Sequence, residues 1–298
     1  MKKRSKAALS FILMLLLFFA LPVQARAEGE APVAENLELQ TYRNVSVGGQ
    51  LAAFDPDGDL LGFTITTEPV KGELTVREDG SFLYTPRSDR RGRDYFGYKA
   101  YDAQGQLSQE ATVIIRIEKQ KKAVSYRDMR GSADEYAAVA LSELGLFTGA
   151  RLGGGYCFEP EEPVSRGAFI QMCLQLTDTP AYAGVYRTGY ADDEQIPEWL
   201  RGCAAVAWTK LDGGSAQACF DAEAPVSRAE AALLLDRALG LAADSLPTFA
   251  GDTDAELLRA CASLKACQIP AQAERTETLT RRDAARLLSA AAAVLARR

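Results

Sequence analysis

Val226-Ser227-Arg228-Ala229-Glu230-Ala231-Ala232-Leu233-Leu234-Leu235 is the stretch on which the reading of this chain turns, because it has two siblings. Val164-Ser165-Arg166-Gly167-Ala168 precedes it and Leu279-Thr280-Arg281-Arg282-Asp283 follows. In each, an apolar residue, a hydroxyl and an arginine open a run with helical apolar spacing. Ser165, Ser227 and Thr280 stand where an N-cap belongs, and such a cap is worth about 1 kcal/mol. Ser227 with Glu230 spells a capping box, and Thr280 with Asp283 a weaker version of one. The hydroxyls therefore need no functional explanation. The arginines do: at the first helical position each meets the positive end of the helix dipole, at a cost of about 0.3–1 kcal/mol. Three such placements in one chain imply compensation.

Two compensations stay open. A guanidinium beside the exposed N–H groups of a helix start makes a carboxylate or phosphate site. The alternative is an ion pair with the aspartate that opens each copy, Asp128, Asp192 or Asp252. The two are compatible, since a pair can hold an arginine ready for ligand.

Working outward, each copy opens on an aromatic and an aspartate: Tyr126-Arg127-Asp128, Tyr190-Ala191-Asp192 and Phe249-Ala250-Gly251-Asp252. Amphipathic helices are expected near 133–145, 197–210 and 254–267. Copies one and two continue through Gly-rich turns to Cys157-Phe158-Glu159-Pro160 and Cys219-Phe220-Asp221. The repeat of about 55–60 residues is too long for a tetratricopeptide array and lacks its signature.

Upstream the period changes from helical to alternating. Phe63-Thr64-Ile65, Leu74-Thr75-Val76, Phe82-Leu83-Tyr84, Phe96-Gly97-Tyr98 and Val113-Ile114-Ile115-Arg116-Ile117 read as half-buried strands. Asp55-Pro56-Asp57-Gly58-Asp59, Lys71-Gly72, Asp79-Gly80, Arg91-Gly92 and Gln104-Gly105 punctuate them as turns. Short strands at this spacing predict a small β-sandwich. The charged stretch Glu118-Lys119-Gln120-Lys121-Lys122 reads as a linker between the halves.

Basic Met1–Lys6, the apolar run Ala7–Leu21 and the triplet Ala25-Arg26-Ala27 follow the order of a secretory signal peptide, so export is expected. Five of the 34 basic residues and none of the 40 acidic ones lie in residues 1–27, leaving 29 against 40, or −11. That balance argues against nucleic acid as a partner. The chain has no histidine, which excludes hydrolases with a histidine base and His-ligated zinc. A carboxylate pair of the glycosidase kind survives that filter, yet no cleft-forming sequence accompanies one, so no catalytic residues and no enzyme are expected. Six cysteines occur, all beyond residue 156, and neither bridges nor free thiols can be chosen from spacing. Asp55, Asp57 and Asp59 could bind calcium through a carboxylate-rich loop, but a plain solvated turn explains them better, and no other cofactor is expected.

The residues carry two resemblances. Ala31-Pro32-Val33-Ala34-Glu35-Asn36, the DxDGD turn, Asp79-Gly80-Ser81-Phe82-Leu83-Tyr84-Thr85-Pro86 and Tyr101-Asp102-Ala103-Gln104-Gly105 resemble bacterial Ig-like, cadherin-like domains of surface proteins. The copies resemble S-layer homology repeats, most closely the second, with Tyr190, Asp192, Trp199, Phe220 and Val226-Ser227-Arg228-Ala229-Glu230. The third lacks the Gly turn and the Phe-x-Pro. The resemblance implies a multidomain chain: an all-β Ig-like sandwich, then an all-α three-repeat pseudo-trimer. It also implies binding of an anionic, often pyruvylated, secondary cell-wall polysaccharide through Asp128, Arg166, Asp192, Trp199, Arg228, Asp252 and Arg281. Taken alone, Trp199 reads as core.

The expected organisation is a signal peptide at 1–27, the sandwich at 28–118, a linker at 119–124 and repeats at 125–180, 187–243 and 247–296. The expected protein is a non-enzymatic module held non-covalently on the cell wall, its sandwich a spacer or adhesive head. A calcium-dependent adhesin and a wall glycan hydrolase are the alternatives.

Overall fold

The computed structural model describes residues 29–212, 218–241 and 253–297. The expected leader and Asp252 lie outside the described residues. The first half is a β-sandwich. Strands β2 (Leu37–Tyr42), β9 (Ala111–Glu118), β8 (Gly92–Tyr101) and β5 (Gly62–Thr67) form one sheet in that order, and β3 (Val47–Gln50), β7 (Ser81–Pro86) and β6 (Gly72–Val76) form the other. β1 (Val33–Ala34) and β4 (Ala53–Phe54) form a separate antiparallel pair. β2 runs parallel to β9, with Leu37 opposite Val113, and the other pairings are antiparallel.

Alternation sorts the side chains as the sequence pattern requires. Along β9, Ala111, Val113, Ile115 and Ile117 are buried, while Ile114, Arg116 and Glu118 face outward. They meet Phe82, Tyr84, Phe96 and Tyr98 between the sheets. Burying such a side chain is worth about 1.5–3 kcal/mol. The two buried tyrosines also find polar partners, as buried phenols must. Tyr98 donates to the carbonyls of Glu35 and Ala52 at 2.6 and 2.7 Å. Tyr84 donates to the buried Asp94 carboxylate at 2.7 Å, and Asp94 also accepts from Val70 N and Lys71 N. Gly72 leaves room for the Tyr84 ring, which a Cβ there would strike.

The segment after β9 is tied down on both sides. Lys121 N and Lys122 N donate to the Glu143 carboxylate, the Lys122 ammonium reaches Ser142 O, and Val124 is buried. The halves also touch. Gly48 N donates to Ala133 O, Tyr136 N to Ser46 O, and Ser46 N to the buried Glu135 carboxylate.

The second half holds six helices among the described residues: α1 (Glu135–Leu144), α2 (Arg166–Leu176), α3 (Arg201–Lys210), α4 (Arg228–Leu239), α5 (Thr253–Ala266) and α6 (Arg281–Leu295). A β10–β11 hairpin (Ala150–Leu152, Gly155–Cys157) precedes α2. None of these helices is long and apolar enough to cross a membrane. Their small, alanine-rich faces gather around Tyr126, Phe158, Phe169, Phe220, Leu235 and Leu288 in one continuous core.

Three short segments lead into α2, α4 and α6, and they hydrogen-bond to one another in a closed cycle. Val164 N donates to Leu279 O at 2.9 Å, Leu279 N to Val226 O at 2.8 Å, and Val226 N to Val164 O at 3.0 Å. Each segment thus donates once and accepts once. The helix starts are capped by Ser165, Ser227 and Thr280. The reciprocal capping box forms at Thr280 and Asp283, not at Ser227 and Glu230. The Glu230 carboxylate is drawn away to Arg166.

Candidate functional site at the three helix starts

The arginines stand at the first position of α2, α4 and α6, and each reaches into the copy after it around the cycle. Arg166 donates to the Asp212 and Glu230 carboxylates and to Phe220 O. Arg228 pairs with Glu277 and Asp283. Arg281 pairs with Glu159 and donates to Phe158 O at 3.1 Å. Two of them also lie over rings, Arg166 over Phe220 at 5.7 Å and Arg281 over Phe147 at 5.2 Å. Among the described residues, the alternative of ion pairs with the opening aspartates is not realised at Asp128 or Asp192. Asp128 instead accepts from Phe158 N and Glu159 N, and Asp192 from Phe220 N and Asp221 N. Those aspartates brace the Cys-Phe-acidic turns, whose Glu159 and Asp221 have φ of 57° and 49°.

The helix starts are not open anion cradles either. Arg166 N, Arg228 N and Arg281 N donate to Ala224 O, Glu277 O and Glu162 O, at 2.8, 2.9 and 2.9 Å. The next amides, of Gly167, Ala229 and Arg282, go to Ala222 O, Glu274 O and Pro160 O. With the third amide capped by its hydroxyl, the dipole end is satisfied by the neighbouring copy, and the arginines are compensated by carboxylates.

The three joints differ. Arg166 is only 11% exposed in its side chain. Burial alone would lower its pKa, but the Asp212 charge and the bonds to Asp212 and Glu230 hold it above the ordinary arginine value. Tyr190 donates to the same Asp212, and burial and that bond push its phenol up. This joint is a closed network. Arg228 and Arg286 are more open, lining a cavity of about 60 Å³ with Pro270, Gln272, Leu279, Asp283 and Leu287. Arg286 is oriented by Asp134 at 2.5 and 2.8 Å.

Trp199 is not core. It sits in a single 3-10 turn, Glu198–Leu200, before α3, and is 64% exposed. The half-buried tryptophan is Trp208, edge-on to Tyr190 at 4.9 Å. All six cysteines are free thiols. One cluster escaped the sequence reading: ligand atoms of Asp192, Cys219 and Asp221 lie within 4.8 Å of one another. The signal for it was the Cys-Phe-acidic turn following an opening aspartate. In the DxDGD turn, Asp55 is buried and accepts from Asp57 N and Asp59 N at 2.9 and 3.2 Å. Among the described residues the three carboxylates do not gather within 4.8 Å of one another. Asp55 Oδ2 is buried without a hydrogen-bond partner among the described residues.

Comparison with known proteins places the first half. Residues 29–119 match the bacterial cadherin-like domain family, in agreement with the two-sheet sandwich. No curated protein matches the chain. Solved structures with local likeness include an endo-fucoidan hydrolase of glycoside hydrolase family 107, at 18% identity and TM-score 0.25 over 32% of this chain and 14% of that one. Another is a SusE-like surface polysaccharide-binding protein of Bacteroides thetaiotaomicron, at 15% and 0.24 over 30% and 16%. The SrpA adhesin of Streptococcus sanguinis matches at 14% and 0.27 over 34% and 67%. The chain spans about 14% of the hydrolase's length.

Proposed function

We propose that this is an exported, non-enzymatic surface module, held non-covalently on the cell wall by its helical half. In this reading residues 125–296 are three S-layer-homology-type repeats forming a pseudo-trimer that grips an acidic secondary wall polysaccharide, and the cadherin-like half is spacer or adhesive head. The observation that carries it is the closed cycle at Val164, Val226 and Leu279 with an arginine at each joint. Three like segments that close on themselves put one cation at each joint, although the joints differ in how open they are. Within the set of binding residues, Asp128, Asp192 and Arg166 take up positioning roles, because their polar atoms are engaged inside the protein. Arg228 and Arg281 are paired as well, but their side chains are 25% and 26% exposed against 11% for Arg166. Contact with glycan therefore falls to them, by exchange of carboxylate partners, and to the exposed ring of Trp199 for sugar stacking.

The test is co-sedimentation of the full chain with purified wall sacculi. Sacculi stripped of their secondary polymer should not retain it, and Arg228→Gln with Arg281→Gln should weaken retention on intact ones. Equal retention on both preparations would overturn the reading. Hydrolysis of wall glycan, abolished by changing one acidic residue, would make the protein an enzyme instead. A second reading, calcium-dependent adhesion by the sandwich, draws on the unpartnered Asp55 Oδ2. It requires a rise in the melting temperature of the protein on adding calcium.

A further inference from the structure

The loop between β7 and β8, with the first two residues of β8, reads Arg87-Ser88-Asp89-Arg90-Arg91-Gly92-Arg93, four arginines and one aspartate in seven residues. All seven are exposed. The single aspartate is engaged elsewhere, by Arg43. Arg90, Arg91 and Arg93 have no ion-pair partner among the described residues. Arg93 also stands opposite Arg116 across the β8–β9 ladder, and like charges directly opposite destabilise a pair. Arg116 finds Glu38 on its far side at 2.6 Å, which leaves Arg93 unbalanced.

The loop is nevertheless held firmly. Asp94 anchors its base by accepting from Val70 N and Lys71 N. Arg87 donates to Val70 O at 3.1 Å, and the Lys71 ammonium donates to Arg91 O at 3.2 Å. Asp89 N donates to the Asn44 side chain at 3.0 Å. Gly92, with φ +83°, makes the turn into β8 that an L side chain would strain. Two residues beyond Arg93, and so on the same face of the strand, Tyr95 is 55% exposed. A rigid array of unpaired cations beside an exposed ring is a pre-organised anion surface.

We propose that this loop, with Lys71 and Tyr95 beside it, is a binding surface for an acidic, carboxylate-bearing polysaccharide, separate from the helical joints. Residues 28–298 without the loop hold 25 basic against 39 acidic residues. A flat bilayer or a nucleic acid duplex would bring that acidic remainder within its field. A thin glycan strand meets the loop alone, since charges beyond about 8 Å are screened at physiological salt. Guanidinium forks fit carboxylates bidentately, and the tyrosine supplies a face for a pyranose ring. The choice of a polysaccharide rests on the surface reading above, whereas the demand for an anion rests on the loop itself.

The experiment uses the full chain and a decameric oligogalacturonate probe, titrated calorimetrically at two salt concentrations, with neutral dextran as the uncharged counterpart. Arg90→Gln/Arg91→Gln/Arg93→Gln removes three guanidinium groups that hold no part of the fold. It should bind the probe about tenfold more weakly and with a shallower salt dependence. Arg77→Gln/Lys99→Gln, equally on the sandwich, should bind as the parent does, and dextran should bind neither. The single change Arg90→Gln should show a partial loss, so the surface stays testable if the triple variant unfolds. The triple variant should remain on wall sacculi, whereas Arg228→Gln/Arg281→Gln should leave them, so the two sites fail separately. Undiminished probe binding by the triple variant overturns the proposal. So does binding of phosphatidylglycerol vesicles or single-stranded DNA as tight as that of the probe and lost in the same variant.

Discussion

The Tyr136 ring lies 5.5 Å from the Tyr42 ring, tilted by 34°, so the first helix of the second half rests on the second strand of the first. Burial and neighbouring acidic groups push the Tyr42 phenol up to about 12. Beside this contact the Glu135 carboxylate, 3% exposed, accepts from Ser46 N and Gly131 N. The two halves therefore meet through a polar lock within an aromatic contact.

That lock should make stability depend on pH. Burial raises the Glu135 carboxyl above its ordinary value against the opposing hydrogen bonds. The folded state thus holds the proton more tightly than the unfolded chain. Its favourable contribution is complete below about pH 4 and fades as the pH rises through the folded value. Glu135→Gln, which can still accept both N–H bonds, should raise the melting temperature at pH 7 and give no gain at pH 3.5. Thermal scans at the two pH values check this.

Arg166 and Arg228 should separate by cost. Arg166→Gln strands two carboxylates in a largely buried joint and should destabilise by about 3 kcal/mol. Arg228→Gln touches a more open pair and should cost about 1 kcal/mol or less. Urea denaturation of the two variants measures the difference.

The caps rank in the same way. Thr280→Ala removes the hydroxyl half of a formed capping box, leaving the Asp283 carboxylate its bond from the residue-280 N–H, and should cost about 1 kcal/mol. Ser165 accepts from Ala168 N at 3.4 Å only, so Ser165→Ala should cost less.

Thiol chemistry reads the core directly. Cys219 is exposed and should react with a disulfide reagent in the native protein, while Cys173 is fully buried with its thiol pushed up by burial. Cys173 should react only after unfolding, and mass spectrometry of labelled peptides distinguishes them.

Much of the fold was legible. Alternation gave the β7 and β9 core faces, and the three Ser/Thr-Arg signatures gave the starts of α2, α4 and α6, because both signals are local. What the arginines touch was not legible. Glu230 reads as a cap partner four residues into its own motif, yet it serves Arg166, 64 positions earlier, because the copies close on one another. Asp128 and Asp192 read as charges seeking a cation but serve backbone amides of their own turns. Trp199 reads as core because tryptophan is usually a largely buried residue, but in the 3-10 turn ahead of α3 it is exposed. The basic loop at 87–93 was in plain view, read only as the turn at Arg91-Gly92.

The cycle through Val164, Val226 and Leu279 has no first or last member. In a solenoid a unit can be added or lost at either end, because each touches only its neighbours. Here excision of the third copy, worn though its motif is, would strip a partner from both survivors. The backbone at Leu279 therefore matters to the other two helix starts whatever side chains surround it, and a chain shortened before that point should lose the order of all three.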